Sequence, residues 1–510
     1  MMNPPIDQPS AIESADHDGQ APSARKAGPF LLLCGVTAAL LAGLLVYSQI
    51  QAFSWDEGYH LLAAQLIQRG QRPYLDFCFP QTPLNAYWNA AWMQVFGGAW
   101  RITHVAASLL TAGAILLAAD FVLTRFPARE WRLAGAITAA LLVGMNESIV
   151  EFGTIAQPYA LCLFLTVAAF RISIFAVNRS GPRLAALAGF LVSAAAASSL
   201  LTAPAAPVLL AWMLLYNRNG SRWAKLGAFL AGALVPFLPV LWLLMKSPHQ
   251  VFFNLFRYHL FYRRSDWEGA TAHDLNVLTS WIDSGAALLL GLLAVTGLLF
   301  IAKGSEWNRA QRSEFYLCGW LAGAVGVEIA SAHPTFAWYF LLVVPFLAIL
   351  AVAGLHEVAS RMYKPDRPVW PVALLSVLLS LALVRALRDD SEATTWGDMQ
   401  AVANKVDEVT PPQGTLWAGE QIYFLTRRPP PDGMELAATH KMDVPMAFAA
   451  PLHILPKREL DRRVKEGMYG TIAICDDDHT IKELALPELY AKKAEISSCT
   501  VFWDKVPAGK

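Results

Sequence analysis

The stretch PFLLLCGVTAALLAGLLVYSQI, residues 29 to 50, with Trp55-Asp56-Glu57-Gly58-Tyr59-His60 close behind it, decides what kind of protein this is. The first part carries no charge and is about as long as the roughly twenty residues that cross a bilayer core. The second strands two adjacent carboxylates at the membrane surface where that span ends. Working outward, further apolar runs fall at 102–124, 133–149, 157–177, 184–201, 204–216, 224–245, 284–302, 315–331, 336–356 and 369–387, which makes eleven candidate spans. Hydrophobic residues make up 55% of the 510-residue chain and charged ones 16%, well under the roughly 25% charge of a soluble domain. The pattern predicts a polytopic α-helical membrane protein. Net charge is zero and no basic tract occurs, so nucleic acid is not an expected partner. Residues 1–28 read as a disordered tail ahead of an uncleaved first helix, whose apolar run is too long for a signal peptide.

Lys and Arg in short loops remain on the cytoplasmic side, and here they alternate. One set of connections holds Arg25 and Lys26; Arg125, Arg129 and Arg132; Arg179 and Arg183; Arg218, Arg222 and Lys225; Lys303, Arg309 and Arg312; and Arg361, Lys364 and Arg367. The opposing short connections, 146–156, 201–204 and 331–335, hold none. This predicts a cytoplasmic N-terminus and an exterior Asp56-Glu57 pair. An odd number of spans then places residues 388–510 outside too. There the composition becomes that of a small soluble α/β domain, with helices at 399–409 and 457–465 and strands at 415–418, 470–475 and 499–505. In an exported domain, Cys475 and Cys499 are either a disulfide or two buried thiols. The chain thus divides into a tail (1–28), a transmembrane domain (29–387) with long exterior loops 51–100 and 246–283, and the exterior domain (388–510).

Loops of that length are usually functional. In the first, Pro73, Pro80 and Pro83 interrupt any helix, and Tyr87, Trp88, Trp92 and Phe96 recur near helical spacing, which predicts an amphipathic helix in the headgroup layer. The second gathers Lys246, Arg257, His259, Arg263 and Arg264 among aromatics, against the positive-inside pattern, and so calls for an anionic partner. A carboxylate can deprotonate an acceptor while Arg and Lys neutralise a phosphate leaving group. Together they describe glycosyl transfer from a lipid-phosphate sugar, delivered through the bilayer because nucleotide sugars are absent outside. Among soluble-side signatures there is no Gly-rich phosphate loop and no Cys/His cluster.

The order Asp56-Glu57-Gly58-Tyr59, then Gly70, Pro73-Tyr74, Asp76, Pro80 and Thr82-Pro83, resembles the first exterior loop of GT-C superfamily glycosyltransferases. The similarity is greatest to the branch of protein O-mannosyltransferases, the aminoarabinose transferase of lipid A and enzymes that decorate lipopolysaccharide core. The segments Gln157-Pro158-Tyr159-Ala160-Leu161 and His333-Pro334-Thr335 through Pro345 are similar to later parts of these enzymes. The resemblance implies a GT-C-like fold in a bacterial inner membrane, with the site and the last domain periplasmic. It also implies inverting transfer from a polyprenyl-phosphate sugar to a glycan, lipid or protein acceptor, with Asp56 as general base. It further implies a second acid between the third and fourth spans, where this chain offers Glu147 and Glu151 rather than an aspartate.

Each candidate also has a plainer structural role. Glu57 is the second catalytic candidate beside Asp56; against both, Ser54 through Glu57 is a capping-box sequence, which accounts for Glu57 and leaves Asp56 only the helix dipole. Asp76 either binds acceptor or fixes its loop. Arg257, His259, Arg263 and Arg264 either clamp the donor phosphate or meet anionic headgroups, with Arg263 and Arg264 favoured because guanidinium forks bind phosphate bidentately. Tyr59, His60, Tyr74 and His333 are expected to line the site. The chemistry requires no cofactor, and the paired carboxylates leave a divalent metal open. The competing functions are a secondary transporter or flippase, a noncatalytic assembly subunit, and an exterior ligase of whole glycans; a transporter would place ionisable residues near the midplane and show repeated halves.

Overall fold

All eleven apolar runs fold as helices in the computed structural model of the chain, which describes residues 27–51, 53–263, 267, 269–362, 368–389 and 393–506. The chain starts with α1 (Ala27–Ser48), α2 (Trp55–Gln68), α3 (Leu84–Phe96), α4 (Trp100–Arg125), α5 (Arg132–Gly144), α6 (Glu147–Phe152) and α7 (Tyr159–Asn178). It continues with α8 (Arg183–Ser198), α9 (Ala205–Leu215), α10 (Arg222–Leu234), α11 (Leu238–Lys246) and α12 (Pro248–Phe252), the last passing into a wide-turned helix over Phe253–Tyr262. Then follow α13 (Ala270–Ser280), α14 (Gly285–Lys303), α15 (Arg309–Ser331), α16 (Val344–Met362) and α17 (Val369–Asp389). By length and composition, seven helical segments are fit to cross a membrane: α1, α4, α7, the joined α10–α11, α14, α16 and α17. The remaining four runs are α5, α8 and α9, which are too short, and α15, which has the length but opens Arg309-Ala310-Gln311-Arg312-Ser313-Glu314 and carries Glu328. Eleven is therefore a count of apolar runs, and seven of them have the dimensions of full spans.

Small residues set how closely these helices pack, as expected where lipid supplies no hydrophobic drive between them. A Cβ on Gly297 would lie 2.1 Å from the Leu350 carbonyl, and one on Gly354 2.0 Å from the Leu293 carbonyl. Only glycine lets α14 and α16 touch backbone to backbone. The outer helices instead present apolar side chains outward, as α17 does with Trp370, Leu374 and Leu381. At one end of the bundle the basic connections are tied down: Arg125 forks onto Glu314, with Nε 2.6 Å from Oε2, and Lys225 donates to the Ala176 and Asn219 carbonyls and to Asn217.

The opposite end is built from three distant parts of the sequence that share one core. Leu61, Leu62 and Phe79 of the first long loop, Phe253 and Tyr258 of the second, and Trp396, Ile422 and Phe424 of the last domain pack in a single buried cluster. That last domain has α18 (Trp396–Val409), β1 (Leu416–Trp417), α19 (Glu420–Thr426), a helix over Lys457–Lys465, β2 (Thr471–Cys475), β3 (Tyr490–Ile496) and β4 (Cys499–Lys505). The strand order is β1-β2-β4-β3, parallel at β1–β2 and antiparallel elsewhere. Register sets Cys475 opposite Cys499, and a disulfide joins them. The sheet contains one strand beyond the three expected, β3, whose Lys492-Lys493 face the solvent at a sheet edge and hide its alternation from a search for apolar pattern.

Helix α3 covers the predicted amphipathic stretch with its polarity turned inward. Asn85 and Asn89 are buried and both donate to the Ala156 carbonyl, at 2.9 and 2.7 Å. Val95 and Phe96 face out, which suits a helix at the lipid headgroups.

Candidate functional site

Helix α2 organises the site because its two faces meet different surroundings. Ser54 stands at its N-cap with extended backbone, but the expected capping box does not form: no side chain caps α2. The Ser54 hydroxyl accepts from Gln157 Nε2 at 2.9 Å. Glu57 turns inward, where stronger donors are waiting. It is fully buried; Oε1 accepts from the Ala156 N–H at 2.8 Å and meets His104 Nε2 at 2.6 Å, while Oε2 accepts from Trp396 Nε1 at 3.0 Å. On the far side of that imidazole, Nδ1 lies 2.5 Å from the Ser48 carbonyl. A carbonyl only accepts, so Nδ1 carries a hydrogen and a further proton sits between Nε2 and Glu57. Trp396 stacks on Trp100 with ring centroids 5.2 Å apart. The end of α1, the start of α4, the segment before α7 and the first helix of the last domain are thus pinned together through one carboxylate.

On the other face, Asp56 remains open to solvent and lines a cavity of about 450 Å³ between α2 and the last domain, a volume within the roughly 300–1,000 Å³ of small-molecule sites. Surrounding protein raises the Asp56 carboxyl above its ordinary range, an effect partly offset by the positive charge of Arg263. Arg263 follows the wide-turned helix, donates to the Tyr339 hydroxyl at 2.8 Å and lies over the Phe336 ring at 5.7 Å. Tyr258 shares this neighbourhood, close enough to feel both charges, and burial pushes its hydroxyl up. Across the cavity stands Glu420 at the start of α19, almost entirely buried. Its Oε1 accepts from the Ala437 N–H at 2.6 Å, and burial raises its carboxyl, with the Asp56 charge adding to the effect.

The other sequence candidates scatter around this pair. Tyr59 lines the cavity, and its buried hydroxyl meets no partner among the described residues. His60 is buried behind it against Tyr59 and Phe79, and desolvation brings its imidazole down to about 3. Tyr74 is buried in the loop core and donates to the Gln81 carbonyl at 2.6 Å. Asp76 is clasped by Arg72, with both oxygens 2.8 Å from the guanidinium; that hydrogen bond lowers its carboxyl and fixes the loop. His259 donates to the Pro80 carbonyl at 2.8 Å, and burial takes it down to about 4, so it meets an anion as a neutral ring. Arg257 lies over Phe448 at 5.8 Å. Arg264 lies outside the described residues. His333 pairs with Asp274, whose other oxygen accepts from the Thr335 N–H at 2.8 Å. Glu147 and Glu151 occupy α6, exposed and half-buried, and neither lines the cavity. Among the described residues, no group of three or more His, Cys, Asp or Glu side chains is placed to hold a metal ion.

With that geometry established, solved structures supply the frame. ArnT from Cupriavidus metallidurans bound to undecaprenyl phosphate matches over 94% of this chain and 98% of that one, with a TM-score of 0.63 at 15% identity. In the apo state the TM-score is 0.65 at the same identity and coverage. The chain has the ArnT fold. The likeness is one of architecture and takes in the membrane helices and the last domain together. The oligosaccharyltransferase AglB of Archaeoglobus fulgidus matches more loosely, with a TM-score of 0.47 and 13% identity over 89% of this chain and 71% of that one. No protein-family profile and no curated protein sequence matches the chain.

Proposed function

We propose that this protein is an inverting membrane glycosyltransferase that takes its sugar from a polyprenyl-phosphate donor on the exterior face of a bacterial inner membrane. The observation that carries this is Asp56. It is a carboxylate with a raised pKa, open to a cavity and set beside a buried-side arginine, on a fold shared with a protein that binds undecaprenyl phosphate. In the reaction an acceptor O–H or N–H attacks the anomeric carbon. Its proton passes to Asp56, the bond from the anomeric carbon to the phosphate oxygen breaks, and polyprenyl phosphate leaves with the electron pair. Arg263 stabilises the negative charge that grows on the departing phosphate, and its hydrogen bond to Tyr339 holds the guanidinium in place for that. Glu57 positions the base from below and touches no reactant. The resting elevation of Asp56 brings its basicity closer to what proton abstraction near neutral pH needs. The donor and acceptor both reach the site from the membrane end at which the two long loops and the last domain meet.

The test is transfer of radiolabelled sugar from a panel of polyprenyl-phosphate monosaccharides into acceptor-containing membranes, with the anomeric configuration of the product read by NMR. The expected result is transfer from one donor with inversion. Transfer with retention, or uptake of the labelled substrate across sealed vesicles without transfer, contradicts the proposal.

A further inference from the structure

The walls of the 450 Å³ cavity carry more information than the base at its edge. Five carboxylates line it, Asp56, Glu420, Asp461, Asp477 and Glu483, against two lysines, Lys441 and Lys457. Lys457 is engaged by Glu483 at 2.7 Å and Asp461 at 3.5 Å, and Asp477 accepts from Thr480, so Asp56 and Glu420 are the carboxylates left to a ligand, against Lys441. Two features point to a ligand rather than to a solvated acidic surface. Glu420, only 9% exposed, keeps its carboxylate at the wall by an Ala437 N–H contact of 2.6 Å. Tyr59, equally buried, lines the same wall with a hydroxyl that no described residue satisfies, an arrangement a buried hydroxyl keeps only at a cost in stability. A hydroxyl or ammonium donor entering here finds fixed acceptors on both sides, Asp56 on α2 and Glu420 on α19.

We infer that the group taken up by this cavity is a neutral or amine-bearing sugar oriented between Asp56 and Glu420, and that the cavity rejects phosphorylated sugars. The inference rests on the proposed glycosyl transfer, for which this sugar is the acceptor. Sugar hydroxyls donate to carboxylates, and an ammonium gains charge-assisted bonds, whereas a phosphate faces an excess of like charge whose desolvated repulsion discriminates strongly. Glu420 is thereby a specificity-determining residue contributed by the last domain, some 360 residues from the base.

The experiment measures binding to the full-length protein in nanodiscs by ligand-observed NMR with three probes on one scaffold: trehalose, 6-amino-6-deoxytrehalose and trehalose 6-phosphate. The amino and neutral sugars are expected to bind at least about tenfold more tightly than the phosphate. Glu420→Gln weakens the amino sugar by about fivefold or more and, by removing one like charge from the wall, tightens the phosphate. Ala438→Lys adds a cation at an exposed position on the same wall without touching the core, and it reverses the preference. Equal or tighter binding of the phosphate, no binding of either other probe, or a preference that Ala438→Lys leaves untouched overturns the inference. Binding of undecaprenyl phosphate to the same discs is measured separately: if it fails while the sugar preference holds, the glycosyl-transfer proposal falls and the cavity assignment stands.

Discussion

Asp56 and Glu57 are neighbours in sequence and about 100° apart around α2, yet the regions they face are built on opposite rules. Around Glu57 both carboxylate oxygens are engaged, by Ala156, His104 and Trp396, and the network continues to Ser48. Around Asp56 the protein supplies a raised carboxyl, a nearby arginine and an open cavity. A buried carboxylate with both oxygens engaged holds elements together; one with a free side facing a cavity is available to a reactant. The contrast assigns the two acids different work although their sequence context is shared.

The sharpest way to break that contrast is to neutralise each acid in turn. Asp56→Asn should cost about 10²–10⁴-fold in transfer rate, the usual weight of a general base, while the thermal midpoint stays near wild type. Glu57→Gln should act through the fold. It breaks a fully buried hydrogen-bonded pair with His104, a change that typically costs about 3–5 kcal/mol, and a large drop in midpoint should accompany any loss of rate. If Asp56→Asn melts the protein and Glu57→Gln leaves it stable but inactive, the assignments must be exchanged.

Arg263→Gln sharpens the description of the open side. Its charge lowers the Asp56 carboxyl against the raising effect of burial, so its removal moves the Asp56 titration further up. Because the base works deprotonated, the acid limb of the rate against pH should shift to higher pH, and the maximal rate should also fall from the loss of phosphate stabilisation. An unshifted limb would separate Arg263 from Asp56. A smaller effect is expected from Glu435, buried in the last domain with one oxygen unpartnered among the described residues and pushed up to about 8 by desolvation. A carboxyl raised from its ordinary value near 4.5 favours the folded state while it is protonated. That contribution is complete at low pH and is lost as pH rises through about 8. Wild type should therefore lose a few degrees of midpoint between pH 6 and 9, and Glu435→Gln should flatten that fall. Least of all is expected from Asp76→Ala. Its pairing with Arg72 is at the surface, and surface pairs contribute little; transfer should change less than about twofold.

Much of the architecture was legible because it is written in local patterns. Apolar runs placed the long membrane helices, though not α2 or the helical turns of the second long loop, and the boundaries of the Lys457–Lys465 helix and the Cys499–Lys505 strand agree with the sequence reading. For Cys475 and Cys499 the sequence left a disulfide and two buried thiols both open, and the structure joins them. The site was only half legible. Asp56 announced itself by its place after a span, but Glu420 is an isolated acid following Trp417-Ala418-Gly419, and nothing in its spacing ties it to α2. That link exists only through the core shared by the long loops and the last domain, which no periodicity encodes. The same cause misled the expectation for Glu57: a capping box is a local motif, whereas its actual partners lie 47, 99 and 339 positions away. β3 escaped because edge strands carry charge where buried strands carry alternation.

The most direct single measurement is chemical rescue of Asp56→Ala: transfer from the polyprenyl-phosphate sugar by the full-length variant in nanodiscs, with increasing sodium formate at constant ionic strength. A general base that opens onto a cavity predicts a nearly inactive, folded variant whose transfer rises with formate concentration. Transfer at the wild-type rate without formate would contradict it.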